Sequence, residues 1–324
     1  MRYTPSFTFS VIEESRFECE IENITEKLNE CKEEGFFTSF DGTKIFYEYF
    51  LCENAKANVV IVHGLSEFTK KYYEFATYIL NQGYNVFLYD QRCHGLSDRL
   101  TSDKDVIHVK SYKDYSKDLG WYIDNIVLKA EKKPIYIYSH SMGGGVAATY
   151  LTKDYCKAEK AVLSAPLLEP YVGNVPVWFA KSGIKLLSLV VGSHKIFSGS
   201  REFNPEYKFE NSDDESYSRF RYNMDLRINN ENYQTTPMSL GWVNATLGNS
   251  LYIKRQRNID KIKIPVLLIS AENDRAVRTP PHYVFDSMCN MCTLKVMKDA
   301  KHAMLTSTND IISQHVNAVI DFFK

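Results

Sequence analysis

A serine that ends an apolar run is the first feature of this sequence with chemical potential. The stretch IYIYSHSMGGG, residues 135–145, runs from apolar residues through serine, histidine and serine into three glycines. A serine exposed on a sharp strand-to-helix turn needs small residues two positions before and two positions after it, in the pattern G-x-S-x-G. Ser139 and Gly143 flank Ser141 in this way, with serine in place of the first glycine. If Ser139 were the nucleophile, the bulky Ile137 would occupy a flanking position, so the pattern predicts Ser141.

A serine hydroxyl becomes a strong nucleophile when a base takes its proton and an acid orients that base. In enzymes built on this turn the chain order is Ser, then Asp or Glu, then His. His302 follows the last predicted strand and is the expected base; the other downstream histidines lie on a predicted helix or lack a strand directly before them. The preceding strand leads into Glu272 and Asp274. Asp274 has the better position after the strand and is the preferred acid, with Glu272 as the alternative.

These residues follow apolar runs that alternate with helical segments. The runs that fit buried parallel strands are 58–64, 85–90, 135–140, 160–166, 264–270 and 293–298. Helical spacing is present at about 69–82, 110–131 and 142–155 and in the closing segment 309–324. Asp-Gly within FFTSFDGTKIFYEYF predicts a hairpin before the first of these strands. The pattern predicts an α/β fold with a mostly parallel central sheet flanked by helices.

One long interruption breaks the alternation between residues 166 and 264. Insertions into open α/β sheets commonly lie over the carboxyl ends of the strands, where ligands bind. We therefore expect a largely helical cap after the sixth core strand. The expected organisation is an N-terminal extension, a first core part, the cap and a second core part, at residues 1–35, 36–166, 167–257 and 258–324.

Composition narrows the class of protein. The chain has 324 residues and a formal net charge of −1, whereas a nucleic-acid-binding protein would normally carry a basic excess. The N-terminus lacks a basic stretch followed by an apolar run, and no apolar window is long enough to cross a bilayer, so we expect a cytoplasmic protein. Seven scattered cysteines indicate reduced thiols. Cys289 and Cys292 form a C-x-x-C without a second ligand pair and predict ordinary thiols, not a metal site.

The sequence resembles the monoacylglycerol lipase and lysophospholipase branch of the α/β-hydrolases, also called the serine aminopeptidase S33 or hydrolase 4 group. It is most similar to the bacterial lysophospholipases of that branch. The resemblance extends from about residue 36 to the end and depends on DGTKIFYEYF, VVIVHGLSEF, LYDQRCHGLSDR, HVKSYKDYSKDL, YSHSMGGG, LSAPLL, PVLLISAENDRAV and KDAKHAML. Two motifs depart from the family pattern: HGLSE stands for HGxGE, and Cys93 replaces the glycine of DxRGHG.

The resemblance implies an α/β-hydrolase fold and cleavage of a single-chain lipid ester through an acyl-enzyme on Ser141, without a metal or organic cofactor. It also implies that the backbone N–H groups of Leu65 and Met142 form the oxyanion hole. Glu67 is expected to buttress the loop of Leu65. His140 is expected to pack, because adjacent strand residues point to opposite faces. The alternatives are a carboxylesterase, amidase or peptidase for small substrates, and a hydrolase-fold protein that binds without catalysis.

Four residues of the insertion are candidates for substrate contact. Trp178 and Phe179 belong to an apolar stretch that would accommodate an acyl chain, rest on a membrane surface or form the core of the cap. Arg219 and Arg221 would bind the phosphate of a lysophospholipid, because arginine pairs bidentately with phosphate oxygens. The alternative is that these arginines pair with the acidic residues of ENSDDE just upstream. The sequence leaves the oligomeric state open.

Overall fold

The computed structural model of the chain describes residues 1–173 and 175–324 and is built on an eight-stranded sheet of order β1-β2-β4-β3-β5-β6-β7-β8. The strands are β1 Lys32–Thr38, β2 Lys44–Phe50, β3 Asn58–Val62, β4 Asn85–Tyr89, β5 Ile135–His140, β6 Ala158–Ser164, β7 Val266–Ala271 and β8 Cys292–Met297. Strand β2 pairs antiparallel with β1 and β4, and the other neighbours are parallel. The predicted fold class is confirmed.

Helices follow most of the parallel strands. In chain order, the helices are α1 Phe17–Cys31, α2 Tyr73–Asn81, α3 Tyr112–Tyr122, α4 Leu128–Ala130, α5 Met142–Leu151, α6 Val177–Val191, α7 Tyr217–Ile228, α8 Leu240–Ile253, α9 Gln256–Ile259, α10 Pro280–Met288 and α11 Asn309–Phe323. A π-helical turn, Ile123–Val127, joins α3 to α4. Within the described residues, no helix combines the length and the apolar character that a bilayer span requires.

Alternating side chains of the central strands pack into two separate cores. All five residues of β3 are buried; Val60 and Val62 pack on one face of the sheet, and Val59 and Ile61 pack on the other. This follows from the two-residue repeat of a strand. Because helices cover both faces, the strands are apolar on both sides, and for this reason they appear in the sequence as continuous apolar runs.

The insertion between β6 and β7 contains α6, α7 and α8, so it is largely helical as expected. Helix α6 packs along α8, which in turn contacts α3 and α5 of the core. Helix α7 packs against α1 at the N-terminus. Helices α7 and α8 of the insertion therefore contact different parts of the rest of the chain.

The N-terminal segment is more integrated than the sequence indicates. The charged stretch ITEKLNECKEE, residues 24–34, predicts a short helix, whereas α1 begins at Phe17 and buries Phe17, Ile21 and Leu28. Strand β1 begins at Lys32, inside the predicted extension 1–35. All seven cysteines are free thiols, as their scattered positions predict.

Candidate active site

Ser141 occupies a strained turn between β5 and α5. Its backbone has φ 52° and ψ −117°, a conformation that residues other than glycine rarely adopt. The Ser141 N–H donates to the carbonyl of Ser164 at 3.0 Å, and the Ser141 carbonyl accepts from the N–H of Leu167 at 2.7 Å. These bonds to the segment after β6 hold the serine in the conformation that the sequence pattern predicts.

The residues that flank Ser141 explain why small side chains are needed. A Cβ atom on Gly143 would lie 2.1 Å from the carbonyl oxygen of Val62, so only glycine fits there. Ser139 is fully buried, and its hydroxyl donates to the carbonyl of Val162 on the neighbouring strand at 2.9 Å. The serine that replaces the first glycine of the pattern is thus accommodated with its polar group satisfied.

The structure brings Ser141, His302 and Asp274 together. His302 Nε2 is 2.9 Å from Ser141 Oγ, and His302 Nδ1 is 2.7 Å from Asp274 Oδ2. The second carboxylate oxygen of Asp274 accepts the backbone N–H groups of Ala276 and Val277, both at 2.9 Å. Glu272, the alternative acid, instead accepts the N–H of Asp299. The geometry therefore favours Asp274 as the partner of the histidine.

The site is largely shielded from water. Ser141 and His302 are each 9% exposed, and the side chain of Asp274 is fully buried. Burial alone would raise the pKa of Asp274, but the hydrogen bond from His302 and the two backbone N–H donors outweigh it and lower this pKa below its ordinary value. Asp274 is therefore held as a carboxylate that can stabilise an imidazolium.

The two predicted oxyanion donors lie at the ends of adjacent strands. Leu65 follows β3 and Met142 follows β5, and these strands pair in parallel with Val62 opposite Ser139. Met142 is buried at the first turn of α5, and Leu65 is half-buried. The N-terminus of a helix favours negative charge, which suits an oxyanion beside Met142.

Glu67 fixes the loop that carries Leu65. Its carboxylate accepts the N–H of Gly64 at 2.5 Å, the hydroxyl of Tyr72 at 2.6 Å and the ammonium of Lys71 at 2.7 Å. Burial would raise the pKa of Glu67, but the charge of Lys71 and the contact with His140 keep it well below its ordinary value. The loop is thus anchored by a buried carboxylate, as the expected buttressing role requires.

His140 does more than pack. Its Nδ1 lies 3.4 Å from the Glu67 carboxylate, its Nε2 lies 3.3 Å from the carbonyl oxygen of His302, and the two imidazole rings are 4.9 Å apart. His140 therefore links the loop of Leu65 to the loop of His302. Sequence spacing carries no signal for this link, because its members are 73 and 162 residues apart along the chain.

Comparison with known proteins identifies the family. The family described as Hydrolase_4, serine aminopeptidase S33, matches residues 53–309. The chain belongs to the serine aminopeptidase S33 family. Together with the fold, this makes it a hydrolase of the α/β type, and the resemblance stated from the sequence is confirmed.

Known proteins match this chain over most of their own length. Lysophospholipase L2 of Escherichia coli strain K12 is 24% identical over 307 residues, covering 90% of this chain and 88% of its own length. Monoglyceride lipase of Homo sapiens is 22% identical over 271 residues, covering 82% and 81%. A soluble variant of Saccharomyces cerevisiae monoglyceride lipase, solved with a substrate analog, superposes with a TM-score of 0.71 at 18% identity, covering 90% and 94%. The structural likeness establishes the fold.

Cys93, at the position of the S33-motif glycine, has φ 63°, which lies in the left-handed region. This explains why glycine is usual there, because a side chain is strained in that conformation. The thiol is buried and donates to the carbonyl of His108 at 3.3 Å. Cys93 therefore holds a left-handed conformation at the cost of local strain.

Trp178 and Phe179, the candidates for contact with an acyl chain, are exposed to solvent in this structure. They lie on the outer surface of α6 with 62% and 59% of their area exposed. The stripe of α6 that faces α8 is instead formed by residues such as Val177, Ile184 and Ser188. The expectation that Trp178 and Phe179 form the core of the cap is therefore wrong.

Arg219 contradicts the prediction of a phosphate-binding role. It is 1% exposed, and its guanidinium donates to both oxygens of Glu74, at 2.9 and 2.6 Å, and to the carbonyl of Ile12 at 2.9 Å. Glu14 lies 3.4 Å from the same group. Since these partners occupy its donors, Arg219 has none free for a substrate. Arg221 is exposed and lies 3.4 Å from Asp225 one helical turn away, so neither arginine pairs with the ENSDDE stretch in this structure.

Proposed function

We propose that this protein hydrolyses the carboxylic ester of a single-chain lipid, a lysophospholipid or a monoacylglycerol, through an acyl-enzyme on Ser141. The observation that carries the proposal is the unbroken hydrogen-bonded series from Ser141 through His302 to Asp274 on a strained turn. The lipid class is supported by relatives that are named lysophospholipase and monoglyceride lipase. Their names describe those proteins, and the similarity extends over most of this chain.

The geometry supports a two-step acyl transfer. His302 Nε2 accepts the proton of Ser141 as its Oγ attacks the ester carbonyl, and Asp274 holds the imidazole in the required tautomer. The N–H groups of Leu65 and Met142 stabilise the oxyanion, a contribution of about 3 kcal/mol for each donor in comparable sites. The imidazolium then protonates the leaving alcohol, and water, activated by the same histidine, releases the fatty acid and regenerates Ser141.

Helix α6 supports a peripheral contact with a lipid surface. Its outer face exposes Trp178, Phe179, Leu186, Leu189 and Val190, each with more than half of its area accessible. Large apolar side chains exposed together on the surface of a monomeric protein commonly mark a site of contact with a partner or a membrane. Amphipathic helices with aromatic and aliphatic residues on one face lie in the membrane interface. In this proposal Trp178 and Phe179 enter the interface and bring the cap to the substrate's membrane.

A matched substrate panel tests the proposed function. The panel contains lysophosphatidylcholine, monoacylglycerol and diacyl phosphatidylcholine with the same acyl chain, together with 4-nitrophenyl acetate and an aminoacyl amide. We expect the highest kcat/KM on one of the two single-chain lipids and at least a tenfold lower value on the two-chain lipid. A maximum on the short ester or the amide would overturn the lipid assignment while leaving the hydrolase chemistry intact.

Exposed residues of α6 provide a test of the membrane contact. Replacing Trp178 and Leu189 with serine should lower the partition of the protein onto neutral phosphatidylcholine vesicles, because two large exposed apolar side chains lose their contact with the interface. Hydrolysis of 4-nitrophenyl acetate in solution should stay at the wild-type rate. Unchanged vesicle binding would contradict the role of α6.

A further inference from the structure

A second candidate site lies where α6, α8 and the start of α3 meet. It is a groove of about 310 Å³, and we call it the basic groove. Four cationic side chains line it: Lys110, Lys113, Lys181 and Arg255. Three of them are exposed, and Lys181 is half-buried on the stripe of α6 that faces α8. The groove therefore concentrates positive charge along the flank of the apolar helix.

The cations of the basic groove lack carboxylate partners within the part of the chain that the structure describes. Over residues 1–173 and 175–324, none of the four groove cations forms a salt bridge. By contrast, nearby Lys254 and Arg278 both pair with the buried carboxylate of Glu169. Clustered cations without carboxylate partners repel each other, and their mutual repulsion is relieved by an anionic ligand.

The positive charge around the groove affects the pKa of Tyr252, a residue that lines it. The ammonium of Lys153 donates to its hydroxyl at 2.9 Å, and those of Lys153 and Lys113 lie 4.4 and 5.6 Å from its ring centre. Burial raises the pKa of Tyr252, but the hydrogen bonds from Lys153 and Thr152 and the charge of both lysines outweigh it, so the pKa lies below its ordinary value. The wall thus favours negative charge on the groove side.

The start of α3 adds to the same field. Ser111 caps this eleven-residue helix by accepting the N–H of Lys113, and the positive end of the helix dipole lies at the groove. The next residue, Tyr112, lines the groove and donates its hydroxyl to the carbonyl of Met142 at 2.8 Å. Ser141 does not line the groove, but this hydrogen bond connects the groove to Met142, the residue that follows Ser141.

We propose that the basic groove binds the phosphate group of an anionic phospholipid in the membrane that α6 contacts. Lys181 connects the two surfaces, because it lines the groove from the same helix that exposes the apolar face. Lys185, one turn further along α6, is exposed and extends the positive charge towards that face. The groove would select anionic lipid headgroups, and α6 would supply apolar contact. The membrane contact rests on the proposed function; the anion preference does not.

Vesicle partition with a charge-matched control tests this proposal. The test variant is Lys113→Ala with Arg255→Ala. The control is Lys132→Ala with Lys263→Ala, which removes two exposed cations that precede β5 and β7 and do not line the groove. Each protein is incubated with phosphatidylcholine vesicles and with vesicles that contain phosphatidylglycerol.

For the test variant we expect at least a tenfold loss of partition onto phosphatidylglycerol vesicles, since each basic residue at an anionic surface contributes about fivefold. Partition onto neutral vesicles and hydrolysis of 4-nitrophenyl acetate should be unchanged. The control variant should lose less than threefold. Equal losses in both variants would overturn the proposal, because positive charge would then promote binding wherever it lies on the protein. No loss in either variant would also overturn it, because the groove cations would then not contribute to binding.

Titration with inorganic phosphate distinguishes a site for a lipid headgroup from a site for a free anion. Calorimetric titration of phosphate into the wild type and the test variant measures the groove without any membrane. If phosphate binds the wild type but vesicle partition is the same in both proteins, the groove is a free-anion site and the lipid proposal is wrong. The variant with Trp178→Ser and Leu189→Ser tests whether the groove depends on α6. If this variant loses binding to neutral vesicles but still prefers vesicles that contain phosphatidylglycerol, the groove acts independently of α6. If wild type binds only anionic vesicles, the α6 contact fails and the groove proposal stands.

Discussion

At the scale of single residues, the candidate site depends on a carboxylate that is both buried and ionised. Asp274 receives three hydrogen-bond donors: His302 and two backbone N–H groups. Its fixed position determines which nitrogen of His302 carries the proton, and the other nitrogen then faces Ser141. The orientation of the base is therefore set by one carboxylate.

Replacing Asp274 with asparagine should lower kcat by about 10⁴-fold, because the amide favours the wrong imidazole tautomer. Hydrolysis of 4-nitrophenyl acetate, followed by absorbance, measures the effect. Glu272→Gln is the matched control, since Glu272 lies two residues away and its carboxylate accepts the Asp299 N–H instead of contacting His302. A larger loss for Glu272→Gln than for Asp274→Asn would contradict the assignment.

The sequence predicts some residues of the site and not others for a physical reason. Ser141 is predictable because its turn imposes local constraints on Ser139 and Gly143. Arg219 is not, since its partners Glu74 and Glu14 are 145 and 205 residues away in the chain. Local sterics leave a pattern at fixed spacing, whereas a buried ion pair between distant segments leaves none.

At the scale of secondary-structure elements, the close crossing of β3 and α5 positions the nucleophile. A methyl group on Gly143 would overlap the backbone carbonyls of Val62 and His63, which cannot rotate away as a side chain can. Helix α5 would have to move away from the sheet, and Ser141 precedes its first residue. The geometry of the site therefore requires a residue without a side chain at position 143.

Gly143→Ala should destabilise the fold by about 1–3 kcal/mol, the usual cost of overpacking, and should lower kcat strongly. Gly183→Ala is the control, because Gly183 lies in α6 with open space around its Cβ position. That change should be neutral or stabilise by up to about 1 kcal/mol. Urea unfolding and ester turnover measure both variants, and wild-type stability and activity for Gly143→Ala would refute this account of the crossing.

Secondary-structure elements are predictable from the sequence where burial leaves a local pattern of apolar residues. Strand β5 is observed at Ile135–His140, as predicted, because apolar burial on both faces gives a continuous run. Helix α1 begins earlier than the sequence indicates: Phe17 and Ile21 pack into a core that α2 and α7 complete. Its amphipathic start becomes evident only when those distant helices are in place.

At the scale of the whole molecule, Arg219 joins three parts of the chain. It connects α7 of the insertion to Glu74 of α2 and to Glu14 and Ile12 of the N-terminal segment. Glu14 also accepts the N–H of Ser218 at 2.7 Å. The N-terminal segment therefore holds one side of the insertion against the core.

Arg219→Ala should lower the free energy of unfolding by about 3–5 kcal/mol, because it leaves the carboxylate of Glu74 buried without its partner. Arg221→Ala should change it by about 0–1 kcal/mol, since both members of its pair are exposed. Urea unfolding distinguishes the two. Similar effects of both substitutions would contradict the structural role of Arg219.

The central claim is that Ser141 carries the acyl group, and covalent trapping tests it most directly. Wild-type protein, Ser141→Ala and Ser139→Gly are treated with an alkyl fluorophosphonate and analysed by intact mass and peptide mapping. We predict one adduct, on Ser141, in the wild type and in Ser139→Gly, which restores the glycine of the motif, and none in Ser141→Ala. Labelling of Ser141→Ala at the wild-type rate, or an adduct that maps to Ser139, would contradict the account.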